Sequence, residues 1–127
     1  MNSDAFRLRI AACFGFLAVA LGAFGAHGLR EGWQAALSVA EAAKRLEVWQ
    51  TAVFYHLTHA IGLVVLALTG RYVWAWRCWV VGIILFSGSL YLLGLTGIKW
   101  LGAVTPLGGV AFLVGWGMLV MRPKATA

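Results

Sequence analysis

Residues 10 to 29 read IAACFGFLAVALGAFGAHGL, twenty residues without an Asp, Glu, Lys or Arg, closed by glycines at 22, 25 and 28 around His27. Two readings compete. Asp4, Arg7 and Arg9 ahead of an apolar run, with small residues from Ala23 to Ala26, match the n-region, h-region and cleavage site of a secretory signal. The same run also has the length of a retained membrane span, since a helix needs about 20 mainly apolar residues to cross a core about 30 Å thick.

The rest of the chain decides between them. Residues 48 to 70, 78 to 98 and 100 to 121 are likewise free of charged side chains, over 23, 21 and 22 residues. One kind of element, used four times, explains all four intervals, and a first span that stays in the membrane needs no cleavage event. Backbone groups in lipid have no water to bond, so each interval must be a helix; none shows the alternation of a barrel strand. The sequence therefore predicts an all-α, single-domain, polytopic membrane protein with four transmembrane helices in an antiparallel bundle. The spans fall at about 10–28, 49–70, 78–97 and 104–121.

Composition agrees. Of 127 residues, 62% are hydrophobic and 11% charged, against roughly 45–50% and 25% in soluble domains. The formal charge of +6 does not point to nucleic acid, because the basic residues punctuate the spans instead of clustering on one face. Arg7, Arg9, Arg71, Arg77, Arg122 and Lys124 lie on one side of the membrane in this topology, and Arg30, Lys44, Arg45 and Lys99 on the other. The positive-inside rule then puts both termini in the cytoplasm. Cys13 and Cys78 fall towards that reducing side and read as packing residues.

Between the first two spans, residues 33–47 are too polar to cross. Ala36, Val39, Ala43 and Leu46 predict the apolar face of a short amphipathic helix on the outer surface, with Glu41 and Arg45 paired at i,i+4. Trp33 and Trp49 are expected at the headgroup level, with Trp74, Trp76, Trp79 and Trp100 in the interfacial belt. Trp116 stands out because it lies well inside span four. Thr105-Pro106 reads as an N-cap followed by Pro at the first helical position, and Gly28 as a C-cap. The sixteen glycines predict close helix packing through small-xxx-small pairs such as Ala11/Gly15, Ala18/Gly22 and Ala111/Gly115.

The polar side chains fall on one side. His27 closes span one; Tyr55, His56 and His59 lie in the outer half of span two; Ser87, Ser89 and Tyr91 in span three; Thr105 opens span four. Polar groups in a bilayer face protein or water, so His27, Tyr55, His59, Ser87, Ser89, Tyr91 and Thr105 are candidates to line an outward pocket for a small molecule or lipid, or a narrow permeation path. His27, His56 and His59 offer imidazoles for a metal, and His27 with His56 or His59 for haem. No carboxylate lies at their depth, so interhelical hydrogen bonding is favoured and no cofactor is expected. No nucleophile motif, phosphate-binding loop or carboxylate pair appears, and the span interiors lack the charges that ion-coupled transport commonly uses. An enzyme is not expected.

The strings GAFGAHGL at 22–29, TAVFYHLTHA at 51–60, LFSGSLYLL at 85–93 and TPLGG at 105–109 resemble the domain-of-unknown-function 423 family of small bacterial inner-membrane proteins. The resemblance runs from about Arg7 to Met121. It implies four membrane helices and an inner-membrane location, brings no assigned activity, and points to His27, His59, Ser87, Ser89, Tyr91, Thr105 and Pro106. His56 departs from the family pattern, in which glutamine is usual. Together these readings predict a non-enzymatic membrane protein that associates with itself or with a larger membrane complex.

Overall fold

A computed structural model describes residues 3–121; Arg122 and Lys124 of the expected cytoplasmic set lie outside the described residues. Among the described residues there are helices and no strands. They are α1 (Ser3–Phe24), α2 (Arg30–Ala36), α3 (Val39–Thr69), α4 (Val73–Gly82), α5 (Gly88–Thr96) and α6 (Thr105–Val120). Wide π turns at Gly25–Leu29 and Ile83–Ser87 join α1 to α2 and α4 to α5, and a 3-10 turn at Lys99–Ala103 leads towards α6. Four continuous helices thus result, Ser3–Ala36, Val39–Thr69, Val73–Thr96 and Lys99–Val120, each long and apolar enough to cross a membrane.

The first reversal differs from expectation. Helix one does not end near Gly28 but runs through the wide turn to Ala36, and the chain turns at Leu37 and Ser38, both extended. The expected amphipathic helix at 33–47 is therefore split: its first residues end helix one, and the rest begin α3. Ser38 caps α3 by accepting from the Glu41 N–H at 3.3 Å, the start of a Ser-x-x-Glu capping pattern. Because the break precedes Val39, the expected apolar face does not exist; Val39 is 90% exposed. The buried stripe of α3 instead repeats every seven residues, through Ala42, Trp49, His56 and Leu63 and through Ala52, His59 and Leu66. That is the heptad pattern of left-handed helix packing.

Helix one answers in the same register. Its buried residues within the span are Ala11, Ala18 and Gly25, again seven apart, small where α3 is large. Ala11 shares a core cluster with Leu63, and a Cβ on Gly25 would lie 2.4 Å from the Trp49 indole. Trp49 is 2% exposed and donates to the Leu21 carbonyl at 2.9 Å. It ties the helices together instead of anchoring at the headgroups.

Spans two and three form the middle of the bundle, with span one along α3 and span four along α4 and the second wide turn. Trp76 and Trp79 belong to the core with Leu63, Ile83 and Phe112, so the interfacial belt is left to Trp74 and Trp100, both exposed. Trp79 sits between two glycines: a Cβ would be 2.4 Å from its ring at Gly62 and 2.5 Å at Gly115. The glycines here make room for aromatic rings more than for backbone contact, and Gly15 and Gly88 have nothing within 4 Å.

At the ends, charge serves the backbone. Arg45 pairs with Glu41 at 3.0 Å and donates to the carbonyls of Gly94 and Leu95 at 3.4 and 3.3 Å. These belong to the last turn of α5, where carbonyls lack helical partners; Gly97 ends that helix at φ +70°. Arg45→Met is expected to lower stability by about 1 kcal/mol, measured by unfolding in mixed micelles. At the opposite end Arg7, almost buried, pairs with Asp4 beside Gly70, the left-handed C-cap of α3.

Candidate functional site

Most of the polar candidates resolve into helix-to-helix links; His27 and the Tyr55 hydroxyl do not. Ser87 is fully buried on the wide turn of span three and donates to the Ala52 carbonyl of α3 at 2.8 Å. Ser89, one turn away from Phe86, donates to the Phe86 carbonyl or shares its proton with Thr105, whose hydroxyl oxygen lies 2.7 Å off on α6. Thr105 is thus not an N-cap. The 3-10 turn before it already takes up backbone groups, with Val104 N–H on Leu101 and Leu107 N–H on Val104, which leaves the hydroxyl for span three.

His56 and His59 follow the heptad stripe of α3 into the interior, 3% and 5% exposed. Tyr91 on α5 meets His56 Nδ1 through its hydroxyl at 3.0 Å, with the Trp49 ring at 4.7 Å from the Tyr91 ring. His56 Nε2 is buried without a hydrogen-bond partner among the described residues, and the Phe14 ring of α1 meets the imidazole edge-on at 5.8 Å.

His59 is more fully determined. The Trp116 indole Nε1, which can only donate, points at His59 Nε2 from 3.1 Å. Nε2 must therefore be the acceptor, and the ring proton sits on Nδ1, 2.8 Å from the Tyr55 carbonyl. Both nitrogens are used and the ring is neutral. Phe112 stacks on it with centroids 3.7 Å apart. A metal or haem iron would have to displace Trp116 to reach the lone pair. Trp116→Phe, which removes this donor and leaves Nε2 unpaired, is expected to destabilise the bundle by about 1 kcal/mol, measured as the shift of its unfolding midpoint.

His27 stands apart. It is exposed on the first wide turn, and no hydrogen bond or ring contact joins it to His56, His59 or Tyr91. Among the described residues no group of three or more His, Cys, Asp and Glu is placed to hold a metal. Tyr55 and His59 do line one groove together, about 430 Å³, with Phe86, Pro106, Phe112 and Trp116. His27, Ser87, Ser89 and Tyr91 are not among its walls. Trp116, Trp49 and Phe112 are the side chains that the sequence reading left out of the polar network; the depth of Trp116 in its span was the one signal for it.

Comparison with known proteins gives the same picture of kinship. The family described as "Protein of unknown function (DUF423)" matches residues 21–109. The chain is 50% identical over 112 residues to the UPF0382 membrane protein YwdK of Bacillus subtilis, covering 83% of this chain and 85% of that one. It is 38% identical over 122 residues to the UPF0382 inner membrane protein YgdD of Escherichia coli K12, covering 91% and 87%. A UPF0382 membrane protein of Staphylococcus saprophyticus is 44% identical over 110 residues, covering 83% and 85%. No solved structure matches.

Proposed function

The chain belongs to the DUF423 family of membrane proteins of unknown function, and from that premise we propose that it is a non-enzymatic structural or accessory protein of the bacterial inner membrane, N-in and C-in, that associates with further copies of itself. The observation that carries the reading is the use of the polar side chains. Ser87, Ser89, Thr105, His56, Tyr91, His59 and Trp116 are bonded across helices, which is how polar residues hold membrane helices together. The faces left over are apolar. Phe16, Val19 and Phe24 on span one and Leu107, Leu113 and Val120 on span four are all more than half exposed, and they suit lipid or a second copy.

Two pairs of cysteine variants test orientation and association in turn. Trp100→Cys is expected to react with a membrane-impermeant maleimide in whole spheroplasts, and Trp74→Cys only after lysis; the reverse pattern contradicts the topology. Phe16→Cys and Leu113→Cys, crosslinked in native lipid particles and weighed, are expected to give dimers or larger species. Isolated monomers throughout would remove the association.

A further inference from the structure

Two cavities meet along the seam between helix one and the start of α3. One, about 580 Å³, lies between α2 and α3, with Arg30, Gln34, Glu47 and Gln50 in its wall. The other, about 380 Å³, continues between the first wide turn and α3, lined by Gly22, Ala26, Val53, Leu57 and Ile61. Leu46 and Gln50 belong to both. A polar mouth therefore opens into an apolar groove.

Its dimensions and charges specify an occupant. Below the mouth it shares with the first cavity, the groove follows α3 from Gln50 to Ile61, eleven steps of 1.5 Å or about 16 Å, which is one leaflet of a core about 30 Å thick. Gly22 packs close against Val53, where an added Cβ would lie 3.2 Å from the valine side chain, and the groove runs beside that contact, past the exposed Ala26. At the mouth Arg30 and Glu47 are both exposed, and neither belongs to an ion pair among the described residues. One cation on α2 and one anion on α3, lining the same cavity, suit a headgroup that carries both signs.

We propose that this seam binds one glycerophospholipid with a phosphate and a primary ammonium: phosphate on the Arg30 guanidinium, ammonium on the Glu47 carboxylate, one acyl chain between Ala26 and Val53. A headgroup of net negative charge would set Glu47 against like charge, and a quaternary ammonium has no N–H to give it. The site goes beyond the structural role above and does not depend on association between copies.

The test is native mass spectrometry of the full chain released from bilayer discs of equimolar phosphatidylethanolamine, phosphatidylglycerol and phosphatidylcholine. One retained phosphatidylethanolamine per chain is expected, at least fivefold over either competitor. Ala26→Phe, which fills the groove from a lipid-facing position, is expected to reduce retention at least tenfold. Glu47→Gln, outside the span, is expected to abolish the preference over phosphatidylcholine, and it keeps the question decidable if Ala26→Phe fails to fold. Equal retention of all three lipids, unchanged in the variants, would mean annular lipid only and overturn the proposal. So would a dimer mass that Ala26→Phe abolishes, since the occupant would then be a second copy.

Discussion

Gly108→Ala is expected to destabilise the bundle by about 3 kcal/mol, a drop of about a hundredfold in the folded-to-unfolded ratio. A Cβ at this position would lie 2.3 Å from the backbone nitrogen of Phe86 and 2.7 Å from its Cα. Phe86 is in the wide turn of span three, so the atoms that would have to yield are backbone and cannot swing aside as a side chain does. Span four would have to move off span three, breaking the Ser89–Thr105 contact on the way. Gly117 is the internal control: a Cβ there meets nothing within 4 Å, and Gly117→Ala is expected to be neutral or slightly stabilising through helix propensity. Steric trapping of unfolded protein in lipid discs measures both. Equal effects would show that span four is not seated against that turn.

Trp79→Ala is expected to cost about 3–5 kcal/mol. The ring is 2% exposed, fills the notches of Gly62 and Gly115, and packs against Trp116 at 4.7 Å and edge-on to His59 at 5.3 Å. Its indole nitrogen has no hydrogen-bond partner among the described residues, so the loss is one of packing: two helices meet at glycines, and lipid cannot fill a void closed on both sides. Trp74→Ala is the contrast, since that ring is 66% exposed with Arg77 over its face at 4.8 Å; unfolding is expected to change by less than about 1 kcal/mol. Comparing the two separates core tryptophan from belt tryptophan in one experiment.

That distinction marks where sequence reasoning stops. Four helices were legible because charge is costly in hydrocarbon, which leaves the uncharged intervals as a direct record of the spans. The faces were not legible in the same way. In a soluble helix the polar side marks the outside, but in lipid both sides are apolar, so Trp76 and Trp79 look no different from Trp74. The seven-residue repeat of Ala42, Trp49, His56 and Leu63 against Ala11, Ala18 and Gly25 was the available signal, because it pairs large with small. Ser38 and Glu41 also signalled the true start of α3, three residues apart as a capping pattern requires, although the Glu41 carboxylate goes to Arg45. The polar residues were found as a set but not as pairs: spacing puts His56 and His59 on one face, and only the packing of α6 brings Trp116 to His59.

Ser87, Ser89, Thr105, Tyr91, His56 and His59 hold helices together across the bundle, and the His59–Trp116 bond is the sharpest case. Solid-state NMR of the protein with ¹⁵N-labelled histidine in phospholipid bilayers at neutral pH reads the tautomer directly. A neutral His59 ring protonated at Nδ1 is expected, with Nε2 unprotonated and its shift altered in Trp116→Phe. A ring protonated at Nε2, a charged imidazolium, or a signal indifferent to Trp116→Phe would contradict it.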